Sequence, residues 1–196
     1  IKHYASITDP KEIAVLLDKL EKYNGSYEVN NALKLAPHLF LRPSELTGLL
    51  WNEVDFDEKI IRIGEERMKM KRTHLVPMSK QVYSMILKLS KYNTKSPYVF
   101  PAPRNNNNSI TPDSLRLAIR RLGIEKDTFT THSFRSMAST RLNELNYRAD
   151  VIEMQLAHAE GNKIRGAYNH AQYLPERLKL MQAWSDYLDK LIKQKV

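Results

Sequence analysis

Apolar residues recur at helical spacing through most of the chain and switch to a strand-like pattern in one short stretch. Ile13, Leu16, Leu17 and Leu20 share one face of a helix predicted from Pro10 to about Tyr23, which Asp9 caps and Pro10 starts. A second helix is predicted from Tyr27 to Leu41, interrupted near Pro37, and a short one begins at Pro43. The period then changes. Val54-Asp55-Phe56, Ile60–Ile63 and His74–Pro77 predict three strands, the first two around an acidic turn. Ser79 caps a helix from Lys80 to Tyr92. The segment PAPRNNNNSI, residues 101–110, predicts a flexible loop, because Pro and consecutive Asn favour turns. Thr111-Pro112-Asp113 starts a helix with Leu115, Ile119 and Leu122 on one face and Arg116, Arg120 and Arg121 on the other. Thr131 is expected to cap a helix from His132 to Asn146, and Asp150 a shorter one through Ala157. A last helix is expected from Pro175 to Lys193, with Leu178, Met181, Tyr187, Leu188 and Leu191 as its apolar stripe. The pattern predicts a mainly α single domain over residues 1–196 with one small antiparallel β-sheet, an α+β class.

Composition removes several chemistries. The 196 residues include no cysteine, so there is no disulfide scaffold, thiolate zinc site, iron–sulfur cluster or cysteine nucleophile. The six glycines form neither GxGxxG nor a Walker A loop. Gly161 and Gly166 have the right gap, but Ala167 and Tyr168 follow where Lys and Ser/Thr are needed. No signal-like or 18-residue apolar stretch occurs, so a cytoplasmic, non-membrane protein is expected. Lys and Arg number 31 against 22 Asp and Glu, a net charge of +9. Such a chain attracts phosphate polymers, although a basic face is also compatible with simple solvation. The basic residues are not confined to one amphipathic helix, which disfavours a membrane-surface role.

Five places carry candidate chemistry. Arg42 lies where one helix breaks and the next begins, with Glu45 three residues on to brace it. The run Arg67–Arg72 sits at an expected hairpin turn. His132 and Arg135 are three apart on one helix face. His158 ends the Asp150 helix, and Tyr168 follows ten residues later. Each has an ordinary explanation alone: a surface ion pair, a solvated basic turn, an amphipathic helix start, a helix-capping His and a packing Tyr.

Their order is more informative. The motifs LRPSEL, ERMKMKRTHLVPMS, THSFR, LAHAEGNKIRGAY and NHAQYLPERLKLMQAWSDYL, taken together, resemble the tyrosine recombinase (phage integrase) family, above all prophage and genomic-island integrases. The resemblance runs from about Ile7 to Leu191. It implies the recombinase catalytic-domain fold and a set of roles. Arg42 matches the first catalytic arginine, Lys69 the hairpin lysine (with Lys71 a nearby competitor), and His132 and Arg135 the His-x-x-Arg pair. His158 matches the later His/Trp position and Tyr168 the nucleophile. Ala157 departs from the pattern, standing where many members have Gly. The gap from His158 to Tyr168 is one residue longer than in many members, which leaves Tyr173 as a minor alternative nucleophile.

The resemblance further implies site-specific recombination through a 3′-phosphotyrosine, with no metal or other cofactor. Double-stranded DNA is the implied partner, with a homotetramer in the synaptic complex, a monomeric isolated domain, a possible directionality factor and a bacterial, nucleoid-associated location. Lys71, Arg72, Arg116, Arg120 and Arg121 are candidate DNA contacts. The chain is expected to be the catalytic fragment of a longer integrase, without the core-binding and arm-binding domains. The competing readings are a type IB topoisomerase-like enzyme and a non-catalytic DNA-binding protein of the same fold.

Overall fold

The computed structural model describes residues 6–69, 71–92, 95–158 and 173–194. Helix α1 (Pro10–Glu21) starts as expected, with Asp9 Oδ1 accepting the backbone N–H groups of Lys11 at 2.9 Å and Glu12 at 3.2 Å. Helix α2 (Tyr27–Leu39) is the hub of the fold, touching α1 and most of the later helices. Its residues explain this position. Val29, Ala32, Leu33, Leu35, Ala36 and Leu39 are buried on several sides, so α2 has no broad polar face to offer solvent. The interruption expected at Pro37 is absent. Pro37 is buried within the last turn, where one lost backbone bond is offset by packing, and its carbonyl accepts the indole N–H of Trp184 at 2.8 Å. The helix ends instead at Phe40, which takes a left-handed backbone conformation with φ of 57°.

Helix α3 (Pro43–Thr47) follows, then the strands β1 (Val54–Asp55), β2 (Ile60–Ile63) and β3 (His74–Pro77). They form an antiparallel sheet in the order β1-β2-β3, with Val54 opposite Ile61, Ile61 opposite Val76 and Ile63 opposite His74. Ile61, Ile63 and Val76 enter the core while Arg62 faces out, the alternation that fixes register. Helix α4 (Lys80–Ser90) is capped by Ser79.

The Asn-rich segment is a hairpin rather than a loop without regular structure. Strands β4 (Pro101–Ala102) and β5 (Asn105–Ser109) pair antiparallel. Buried Phe100 and Ile110 anchor its two ends and are joined by a backbone bond of 2.9 Å. The exposed asparagines therefore sit on a backbone that core residues hold in place.

Helices α5 (Pro112–Arg121), α6 (Ser133–Glu144), α7 (Ala149–Gln155) and α8 (Leu174–Lys193) complete the described residues. At the start of α6 the capping exchange runs between Thr130 and Ser133, where Ser133 Oγ accepts the Thr130 N–H at 2.9 Å. Asp150 lies inside the first turn of α7, paired with Arg148. Helix α8 packs on α1, α2, α7 and β3 of its own chain. Its inner face is Arg177, Leu180, Met181, Trp184, Ser185, Leu188 and Leu191, whereas Leu178 of the expected stripe is exposed. Trp184 meets Phe40 edge-on, with ring centroids 6.0 Å apart. Arg177 is fully buried and donates to Gln155 Oε1 at 2.9 Å and to the Leu75 carbonyl, joining α8 to α7 and β3. One continuous hydrophobic cluster runs through these elements. No described helix is long and apolar enough to cross a membrane.

Candidate active site

The end of α2 builds one side of the site. After Phe40 turns the chain, Arg42 occupies the N-cap position of α3 and Pro43 its first turn. Glu45 holds Arg42 twice. One carboxylate oxygen accepts the Arg42 backbone N–H at 2.9 Å and the other accepts a guanidinium N–H at 2.7 Å. Glu45 is buried, so the brace expected from the sequence is a desolvated, charge-assisted contact. Behind it, Arg67 donates to the Glu53 carboxylate and, at 3.1 Å, to the Glu45 carbonyl. The first arginine of the basic run is thus a brace for α3. A Cβ at Gly48 would lie 2.9 Å from Arg67 Nη2 and 3.1 Å from the Ser44 carbonyl oxygen, so a side chain there would displace this brace.

Helix α6 supplies the facing groups. Arg135 is buried, and its guanidinium donates to the carbonyls of Phe40 and, at 2.6 Å, Leu156. One side chain therefore ties the end of α2 to the end of α7. Burial, followed by the nearby Arg42 charge, pushes the Arg135 guanidinium down to about 10. Two guanidinium groups that repel each other in this way form a site for an anion. His132 is exposed beside them. Partial burial first, then the Arg135 and Arg42 charges, hold its imidazole below the ordinary value, against the opposing influence of Glu45. These influences favour the neutral imidazole, the form that can accept a proton.

The end of α7 supplies His158. Its backbone N–H bonds the Glu153 carbonyl at 3.2 Å, and the Ala157 N–H bonds the Met154 carbonyl at 3.1 Å. These are the two bonds of a Schellman cap, with Ala157 left-handed at φ 50°. The departure from glycine noted in the sequence falls on the position where glycine is favoured. The His158 ring meets Glu153 Oε2 through Nδ1 at 2.6 Å.

His132, Arg135 and His158 line one open cleft of about 410 Å³, together with Ser136, Ser139, Thr140 and Leu156. The hydroxyls were not singled out from the sequence, although their spacing from His132 puts them on its side of α6. Glu153 left no comparable signal, because its contact with His158 crosses a helix end. Lys69 is exposed on the β2–β3 connection and is not among the cleft-lining residues. Buried Met68 anchors that connection, and Lys71 is left-handed with φ of 51°. Tyr168 lies outside the described residues. Tyr173 is half-buried, its ring lies 5.2 Å from the Arg148 guanidinium, and its carbonyl accepts the Arg177 N–H in the first turn of α8.

The candidate DNA contacts separate into two kinds. Lys71 and Arg121 are exposed, Arg72 is half-exposed, and Arg116 is exposed but paired with Asp113 at 2.7 Å. Arg120 does not belong with them. It is half-buried and its guanidinium donates to the carbonyls of Ile124 and Phe129, which directs its donors inward.

The model of the phage integrase family matches residues 6–174. Prophage integrase IntS of Escherichia coli (strain K12) is 39% identical over 175 residues, covering 89% of this chain and 45% of that protein. The integrase of Shigella phage Sf6 matches with the same identity and coverage. The integrase of enterobacteria phage P4 is 33% identical over 203 residues, with 96% and 46% covered. The chain spans about half the length of these relatives. Among solved structures, the integrase from mycobacterium phage Brujita superposes with a TM-score of 0.66 at 15% identity, over 99% of this chain and 63% of that one. The Tn1549 transposon integrase in complex with a circular intermediate DNA gives 0.67 at 15% identity, over 88% and 67%. At such low identity the structural likeness is one of fold. The family match and the sequence identities go further: this chain belongs to the phage integrase family.

Proposed function

We propose that this chain is the catalytic part of a tyrosine recombinase that integrates or excises a mobile element by cutting and rejoining DNA. The observation that carries the proposal is the convergence of Arg135, His132 and His158 on one open, hydroxyl-lined cleft, with Arg42 near enough for its charge to act on both Arg135 and His132. A phosphodiester carries one negative charge, and attack on phosphorus builds more on its nonbridging oxygens. Arg42 and Arg135 offer forked donors to those oxygens, and fixing them beforehand avoids reorganisation during the reaction. Ser136, Ser139 and Thr140 add neutral donors of the kind that hold neighbouring phosphates.

In this reading the Tyr168 oxygen attacks phosphorus, the bond to the 5′-oxygen breaks, and a 3′-phosphotyrosine remains. His132 takes the phenol proton and Lys69 gives a proton to the departing 5′-oxygen. His158 hydrogen-bonds the scissile phosphate. Attack by another strand's 5′-hydroxyl reverses these transfers and reseals the duplex, so no nucleotide is consumed. Lys71, Arg72, Arg116 and Arg121 hold the duplex by backbone charge. The relatives are about twice as long, and we assign a homotetrameric synapse, and any directionality factor, to the level of the whole protein.

The test is covalent trapping on a suicide duplex carrying the element's ends. The protein forms an adduct, Tyr168→Phe forms none, and Arg135→Ala lowers adduct yield far more than duplex affinity. Normal adduct formation by Tyr168→Phe would overturn the nucleophile assignment. Adduct that relaxes supercoils without exchanging partners would favour topoisomerase-type turnover instead.

A further inference from the structure

We propose that Glu153 is a positioning residue for catalysis, fixing the His158 ring so that its Nε2 faces the scissile phosphate. The inference rests on the recombinase reading above and adds a residue to it.

Three observations converge on Glu153. Its Oε2 lies 2.6 Å from His158 Nδ1, the separation of a short charge-assisted hydrogen bond. Its backbone carbonyl accepts the His158 N–H at 3.2 Å, so one residue holds both the main chain and the ring. Its charge also acts on Arg135, as the smallest of the influences on that guanidinium. Exposed ion pairs contribute little to stability. A pair that grips a ring at the edge of a catalytic cleft is better placed to orient than to stabilise.

The chemistry follows from the two ring nitrogens. An ionised carboxylate only accepts, so the nitrogen facing Glu153 carries a proton. Nδ1 is therefore N–H, and Nε2 is the atom left for the cleft that His158 lines with His132 and Arg135. To donate to a nonbridging oxygen while Nδ1–H stays on Glu153, the ring must carry a proton on Nε2 as well. Nδ1–H then points at Glu153 and Nε2–H at a nonbridging oxygen, with the ring's positive charge flanked by two anions. Without the carboxylate, the ring is free to rotate and to exchange tautomers, and both cost transition-state contact. Glu153 on α7 pairs with the ring, and Arg135 and His132 at the start of α6 line the same cleft. Arg42 acts on Arg135 and His132.

The test uses Glu153→Gln, Glu153→Ala, His158→Ala and the two double variants. Long-range ¹⁵N–¹H spectra of the free protein give the tautomer of His158. We expect Nδ1–H in the wild type and a shift towards Nε2–H in Glu153→Ala. Single-turnover cleavage on the suicide duplex should fall on the order of tenfold in Glu153→Ala, with duplex affinity nearly unchanged. In the His158→Ala background, removing Glu153 should cost nothing further, because the two act as one unit. An unchanged tautomer, wild-type cleavage by Glu153→Ala, or an equal additional loss in the double variant would each overturn the proposal. The tautomer measurement needs no DNA, so it separates this inference from failure of the recombinase reading. That reading fails if the wild type makes no covalent adduct.

Discussion

Glu45 holds Arg42 by both of its oxygens, the backbone N–H on one at 2.9 Å and the guanidinium on the other at 2.7 Å. One buried carboxylate thus completes the start of a helix and fixes the arginine whose charge acts on His132 and Arg135. Arg67 closes the arrangement by bonding the Glu45 carbonyl. Glu45→Gln keeps one acceptor oxygen and turns the other into an amide donor, so the part-buried Arg42 N–H or its guanidinium loses its acceptor and the cation loses its counter-charge. Glu45→Gln should lower stability by about 2–3 kcal/mol in urea unfolding, and cleavage should fall even where the variant is folded.

Ala157 pays a steric cost in the Schellman cap before His158, because a Cβ is disfavoured in the left-handed region. Ala157→Gly removes that cost and loses some unfolded-state restriction. The net effect should be a gain of about 0.5–1 kcal/mol, read as a higher denaturation midpoint with an unchanged slope.

His38 is buried on α2 with Nδ1 2.8 Å from Ser185 Oγ, and burial pushes its imidazole down to about 4 despite the opposing charge of Asp189. Between pH 4 and its ordinary value near 6.5, the unfolded chain binds a proton that the folded chain excludes. Stability therefore falls as pH drops through that window and levels off below it, by about 3 kcal/mol in total from this group. His38→Asn keeps an acceptor or donor near the Nδ1 position and cannot titrate. Its stability loss between pH 7 and pH 4.5 should be smaller than that of the wild type by most of this amount.

Arg120 and Arg121 are adjacent in sequence, but Arg120 is tied inward and Arg121 is exposed. Arg120→Ala unties the Ile124 and Phe129 carbonyls and should cost about 1–2 kcal/mol of stability. Arg121→Ala should leave stability within about 0.5 kcal/mol. It should weaken duplex binding and reduce the slope of log affinity against log salt by about 1. Equal loss of affinity in both variants at full folding would contradict the division.

Local rules gave the elements. Asp9, Ser79 and Thr111 cap the helices they were expected to cap, and the alternation of Ile61, Arg62 and Ile63 gave the sheet. The start of α3 was legible because Pro43 and Glu45 act within one turn of Arg42, whereas Thr131 and Asp150 are not the caps of α6 and α7, whose N-cap positions are held by His132 and Arg148. Three features were not legible. Pro37 stays helical because the packing of α2 outweighs one missing bond. The asparagine hairpin depends on Phe100 and Ile110, whose burial is decided elsewhere in the chain. Arg177 interrupts an apolar face and reads as a solvated position, yet it is buried because Gln155 and Leu75 come to meet it.

By itself the sequence determined the helical period, the caps, the basic charge and the ordered set of candidate residues from Arg42 to Tyr168. These depend on neighbours a few positions apart, where backbone sterics and side-chain spacing act directly. Tertiary structure decided which of those residues share a cleft, which arginines stay exposed and which brace the fold, and which carboxylate grips which partner. Those outcomes depend on burial and on contacts between residues as far apart as Phe40 and Arg135 or Leu75 and Arg177. Desolvation makes such contacts strong, and only the folded chain determines where water is excluded.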